Sequence, residues 1–149
     1  MAIEIETNDG IQLIRMGGQA STQSFSEAFL PKIARAIDDA LSDGDVKGIV
    51  LTGEGKFFSA GADINAFQQS IDDNNAPELI RKLTGILHPL LIRMRTSPTV
   101  IIAALNGVSA GGGLGLALAC DARIGTSDAR MAASYSGMGL SPDGGTTWL

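Results

Sequence analysis

The 149 residues contain a single cysteine, a single histidine and fewer basic than acidic side chains, and these shortages narrow what the chain can be. One cysteine rules out a disulfide framework within the chain. Cys120 lies in the apolar run 114–120 and reads as a buried, inert thiol. Lys and Arg number 11 against 16 Asp and Glu, the formal net charge is -5, and the isoelectric point is about 4.7. With that balance and no basic stripe, neither nucleic acid nor an anionic membrane surface is an expected partner. The N-terminal stretch carries Glu4 and Glu6 where a secretory signal would carry basic residues, and it lacks a long apolar core. No stretch reads as a membrane span, because Asn106 and neighbouring glycines interrupt the best candidate. The expected location is the cytoplasm.

What is present in quantity is apolar. Hydrophobic residues make up 44%, which excludes a disordered or collagen-like chain, and the length suits one domain with a sizeable core. Residues 2–7 alternate with a period of two, Asn8-Asp9-Gly10 is a turn signal, and residues 11–16 form the returning strand. Ser24-Phe25-Ser26-Glu27 has the spacing of a capping box ahead of a helix carrying Leu30, Ile33, Ile37 and Leu41, with Pro31 disturbing its first turn. Residues 46–52 and 98–105 read as buried β-branched strands. Between them, Ile80, Leu83, Leu87, Leu90, Leu91 and Met94 mark an amphipathic helix bent at Pro89. His88 lies in this helix and reads as a surface or core histidine rather than a catalytic one. Short strands are expected over 122–125 and 130–133. Strands alternating with helices argue for α/β layers and parallel pairing.

Two loops stand out. Phe57-Phe58-Ser59-Ala60-Gly61-Ala62-Asp63-Ile64 follows the first buried strand, and its small residues let a ligand approach the main chain. Asn106-Gly107-Val108-Ser109-Ala110-Gly111-Gly112-Gly113-Leu114-Gly115 follows the second and leads into a helix, whose free N–H groups can stabilise an enolate or oxyanion. Glycine runs commonly serve turns or close helix packing, so each loop alone is a weak signal. The second loop lacks the phosphate-loop pattern and the acidic residue of a dinucleotide fold.

Together the two loops resemble those of the enoyl-CoA hydratase/isomerase (crotonase) family, as does the continuation Leu116-Ala-Leu-Ala-Cys-Asp121-Ala-Arg-Ile. The terminal stretch from Gly139 through Pro142-Asp143-Gly144-Gly145 to Leu149 is similar to the isomerase branch, including ring-epoxide isomerases of phenylacetate degradation. The resemblance implies an α/β spiral of strand–strand–helix repeats acting on acyl-CoA thioesters. It implies no metal and no cofactor beyond the coenzyme A of the substrate. Coenzyme A is polyanionic and needs local basic groups, of which Lys56 is a candidate. By the same resemblance, the oxyanion-hole N–H groups belong to Ala62 and Gly112, with Gly111 beside the latter. Residues Ala60, Ala62, Asp63 and Ile64 fall in the coenzyme A pocket, with Asp63 read as a loop brace. Asp121 is read as structural.

Family hydratases carry two glutamates, at the places held here by Gly115 and Tyr135. Asp143 stands where several isomerases keep their acid/base aspartate, and one carboxylate suffices to move a double bond by one carbon. Burial against Tyr135, Met138 and Trp148 is expected to raise its pKa. The turn-forming role natural to Pro-Asp-Gly is the competing reading. Tyr135 is expected to line the acyl pocket. Isomerisation of an enoyl-CoA or ring-epoxide thioester is therefore the expected activity. The alternatives are an enoyl-CoA hydratase or acyl-CoA hydrolase, a nucleophilic Asp143, and a non-catalytic acyl-CoA-binding protein. Family members are longer, with a C-terminal helical region that closes the pocket and builds homo-oligomers, trimers or hexamers. That region is expected to be missing from a chain ending at Leu149.

Overall fold

A computed structural model describes residues 2–149. Strands β1 (Ile3–Asn8) and β2 (Ile11–Met16) form an antiparallel hairpin, with Asn8 opposite Ile11. Its two-residue turn, Asp9-Gly10, has positive φ at both positions (51° and 81°), the geometry that matches strand twist and that an Asp-Gly pair adopts readily. Helix α1 (Gln19–Thr22) is a single turn, and α2 (Leu30–Ser42) follows. The expected capping box does not form. Ser24 Oγ donates to the carbonyls of Ala20 and Ser21, and α2 starts later, with Phe29 at its N-cap. Pro31 sits in the first turn, where a missing N–H leaves no intrahelical bond unmade.

Beyond α2 the chain repeats one manoeuvre. Strand β3 (Gly48–Gly53) is followed by the short β4 (Phe57–Ser59), β5 (Val100–Leu105) by β6 (Val108–Ala110), and β7 (Ala122–Gly125) by β8 (Arg130–Ala132). The first strand of each pair joins a sheet ordered β1-β2-β3-β5-β7, parallel from β2 onward. The second joins a parallel three-stranded sheet ordered β4-β6-β8. Helices α3 (Ile64–Asp72) and α4 (Ala76–Thr96) fill the first return, and α5 (Gly112–Ala119) the second. The result is a spiral of strand–strand–helix turns, as the family resemblance implies. Strands β4 and β6, three residues each, lie in segments expected to be loop, and α3 is an addition to the expected elements.

The core lies between the large sheet and helices α2, α4 and α5. Ile14, Ile49 and Ile101 from the sheet meet Ile33 and Ile37 of α2, Leu90 of α4 and Leu116 of α5, all buried. Asn106, read from sequence only as a turn residue, braces the step between layers. Its Oδ1 accepts from Gly53 N at 2.9 Å, and its Nδ2 donates to the carbonyls of Gly55 and Phe57 at 3.1 Å each. Asp121 braces the β5 end: Oδ2 accepts from Ile101 N at 2.8 Å, and Arg95 lies 3.4 Å from Oδ1. Strands β7 and β8 are exposed along their length.

Candidate active site

Parallel pairing of β4 and β6 brings together the two segments that follow their C-terminal ends. After Ser59 the chain turns through residues 60–63 into α3, and after Ala110 it passes Gly111 into α5. The segments touch backbone to backbone. A Cβ built on Gly61 would lie 2.7 Å from Ala110 O and 3.3 Å from Gly112 N, and one on Gly113 would lie 2.3 Å from Ser59 O. Real Cβ atoms do not approach that closely, so glycine at 61 and 113 is what permits the contact. Ser59, fully buried, strengthens the junction: its Oγ donates to Ser24 Oγ at 2.9 Å and accepts from Gly61 N at 3.3 Å. Phe25 N donates to Gly61 O, which ties the residue before Ala62 to the segment ahead of α2. Among the described residues, neither Ala62 nor Gly112 donates its N–H to a protein acceptor. The Gly112 N–H also lies in the first turn of α5, where the helix end carries partial positive charge.

Both residues line a cavity of about 500 Å³, a volume suited to a small ligand or part of a larger one. One wall is a face of α4 bearing Leu83, Thr84, Leu87 and His88, and another is the terminal segment, with Tyr135, Met138 and Asp143. Asp143 is the sole carboxylate among the described lining residues. Its Oδ1 accepts from Tyr135 Oη at 3.0 Å, and its Oδ2 stands 3.9 Å from His88 Nε2. The Asp143 carbonyl accepts from the N–H (3.1 Å) and Oγ1 (2.8 Å) of Thr146, closing a turn in which Gly144 and Gly145 both have positive φ. Burial, and then the adjacent Asp143 charge, push the Tyr135 hydroxyl up to about 12, so near neutral pH it is an uncharged donor to the carboxylate.

Ala60, Ala62, Ile64, Gly111, Gly112, Tyr135 and Asp143 thus share one cavity, with Ile64 at an exposed position on it. Asp63 is outside its lining. Its Oδ1 caps α3, accepting from Asn65 N at 3.0 Å and Ala66 N at 3.2 Å. The expected burial of Asp143 needs correction. Trp148 is 90% exposed and Met138 40%, and the Asp143 side chain itself is 40% exposed. The Gly144-Gly145 turn reverses the chain after Asp143, and Trp148 does not cover it. Of the three expected neighbours only Tyr135 is buried. His88, expected as a surface or core histidine, is exposed on α4 and also lines the cavity. Positions 80, 83, 84, 87 and 88 fall on one helical face, so that stripe already placed the histidine beside the inward-facing leucines. Gly115 packs on the terminal turn: a Cβ there would lie 3.0 Å from Gly144 O and 3.4 Å from Thr146 Cγ2.

A sequence model of the enoyl-CoA hydratase/isomerase family matches residues 6–149. The Mycobacterium tuberculosis protein named probable enoyl-CoA hydratase EchA14 is 36% identical over 139 residues, covering 93% of this chain and 52% of that protein. The 1,2-epoxyphenylacetyl-CoA isomerase of Escherichia coli is 32% identical over 141 residues, covering 94% and 53%. Among solved structures, an enoyl-CoA hydratase from Polaromonas sp. JS666 superposes with a TM-score of 0.85 at 32% identity, covering 99% of this chain and 57% of that one. The chain spans about half the length of the curated relatives it matches.

Proposed function

Because the chain belongs to the enoyl-CoA hydratase/isomerase family, we propose that its cavity takes an acyl-CoA thioester and that Asp143 isomerises it. In this reading the N–H groups of Ala62 and Gly112 donate to the thioester oxygen. Asp143 removes a proton from the carbon next to the carbonyl. The resulting dienolate concentrates charge on the oxygen that the two N–H groups already face, and each such donor is worth about 10²–10³ in rate. Return of a proton two carbons further along completes the shift of the double bond. A strained ring-epoxide thioester is the other substrate class that this arrangement suits. Every step uses the chain's own backbone donors and one carboxylate.

The observation that carries the isomerase choice is the single carboxylate on the cavity. Hydration across a double bond calls for one group to orient water and another to handle the α-proton. Of the two positions where family hydratases place glutamates, Tyr135 fills one and donates to Asp143, while Gly115 packs against the Gly144 carbonyl. A glutamate at 115 would meet the terminal turn at its first carbon. For the whole protein we propose a homo-oligomer acting in the cytoplasm.

The test is product analysis with a 3-enoyl-CoA, using this protein and its Asp143→Asn variant. Conjugated 2-enoyl-CoA of unchanged mass from the parent, and none from the variant, is the expected result. A product heavier by one water would assign hydration instead, and binding of the thioester with no conversion by either protein would assign a non-catalytic role.

A further inference from the structure

We propose that His88 links Asp143 to solvent, so that the proton returned to the substrate is drawn from water and is not the one removed from it. The inference rests on the isomerase reading above. His88 projects from α4 into the same cavity as Asp143, with Nε2 3.9 Å from Oδ2. Both side chains are about half-exposed, at 48% and 40%, so a small rotation of either closes that distance to a hydrogen bond. The two carboxylate oxygens are not equivalent. Oδ1 is occupied by the Tyr135 hydroxyl, which leaves Oδ2, on the His88 side, to carry the proton. Among the described residues lining the cavity, Asp143, Tyr135 and His88 are the titratable groups, and Tyr135 is buried with its hydroxyl held by Asp143 and Thr146. An acyl chain seated on the Ala62 and Gly112 N–H groups covers the inner side of Asp143, whereas His88 keeps its exposed edge in water.

The carboxylate takes H⁺ from C2, and the C2–H electron pair becomes the dienolate. Oδ2–H gives its proton to one imidazole nitrogen, and the other nitrogen releases one to water. The reverse passage reloads Asp143 with a solvent proton, which then bonds to C4 as the dienolate collapses to the 2-enoyl thioester. Nothing is oxidised or reduced. Imidazole suits this relay because it can take up a proton at one nitrogen and release one from the other. Without the relay, Asp143 carries the same proton from C2 to C4.

The test runs the isomerisation of a 3-enoyl-CoA in deuterium oxide and reads deuterium at C4 of early product by mass spectrometry, with His88→Gln as the comparison. Gln keeps a donor toward Asp143 and a good helix former on α4, yet it cannot pass a proton through, so a merely structural role for His88 would be rescued. The parent is expected to give mostly labelled product, and His88→Gln to keep converting substrate with label lowered by about tenfold or more. Equal labelling in the two proteins, or unlabelled product from the parent, overturns the relay and leaves the isomerase reading intact. Failure of the parent to convert the 3-enoyl-CoA overturns that reading and the relay with it.

Discussion

Replacing Gly113 by alanine should push apart the two loops that supply the backbone donors, and the coordinates set how far. The new Cβ would fall 2.3 Å from Ser59 O, 2.5 Å from Ser59 Oγ and 2.7 Å from Ser59 Cβ. Ordinary contact begins near 3.4 Å, so one loop must retreat by about 1 Å. Ser59 is fully buried and tied to Ser24 and Gly61, so the strain is not relieved by a flexible side-chain tip. Overpacking of this kind costs about 1–3 kcal/mol. The better helix propensity of alanine in α5 offsets at most about 1 kcal/mol. A net loss near 1–2 kcal/mol lowers Tm by roughly 2–8 °C in a chain of this length. The same substitution at Gly85, inside α4 with no atom within 4 Å of the built Cβ, meets no obstacle. There the propensity gain alone remains, and Tm should rise by roughly 2–4 °C. Thermal unfolding of both single variants by circular dichroism compares one chemical change in two helices with opposite expected signs. A Gly113→Ala protein that melts at or above the parent would refute the claim that the two loops are in rigid backbone contact. If the contact holds, the donor displacement should also lower kcat/KM by about 10²-fold.

Asp143→Asn should cost isomerisation about 10²–10⁴-fold with little change in Tm, because an amide oxygen still accepts from Tyr135; steady-state kinetics and a melt check the two halves separately. Tyr135 is the only tyrosine, so the phenolate absorbance titrates it alone. The native transition should lie near 12 and fall in Asp143→Asn, while staying above the ordinary 10.0 because burial is the larger cause. The folded state holds that proton more tightly than the unfolded chain does. The stability it contributes is therefore complete below pH 10 and is lost as pH rises toward 12, which chemical denaturation across that window would reveal. Cys120 is buried, with its thiol pushed up to about 12 mainly by that burial. It should resist thiol reagents in the native protein and react once the protein is unfolded. Asn106→Ala leaves the Gly53 N–H and two carbonyls without their partner and should cost about 1–3 kcal/mol, read as a lower urea midpoint at unchanged slope.

Elements with a strong period were legible in the sequence, and β4, β6 and α3 were not. The hairpin, α2 and the buried strands β3 and β5 announced themselves through alternation, helical spacing and β-branched runs. Strands β4 and β6 are three residues each, too short for a period, and what makes them strands is mutual pairing across the spiral, whereas β7 and β8 fall where short strands are expected. The Ser24–Glu27 spacing misled because the Ser24 hydroxyl turns back to α1, a local competition that hydroxyl side chains invite. The two glycine-containing loops were legible only as a pair, through the family resemblance, and the structure adds that Gly61 and Gly113 permit their backbone contact. The surroundings of Asp143 were not readable. Distance from Trp148 depends on a double-glycine turn whose direction no spacing encodes, and the approach of His88 depends on how α4 lies over the terminal segment. Asp63, expected to brace its loop, does so as the N-cap of α3, a detail that its place in the motif does not specify.

The central claim is that the Ala62 and Gly112 N–H groups hold the thioester oxygen. The most direct test is the infrared carbonyl stretch of a saturated acyl-CoA, isotopically labelled at the thioester carbon, bound to the protein. Two donors converging on one oxygen should polarise the bond and shift the stretch below its value in water, and Gly113→Ala should reverse most of that shift. A bound thioester whose carbonyl absorbs where the free one does, in both proteins, would contradict the account.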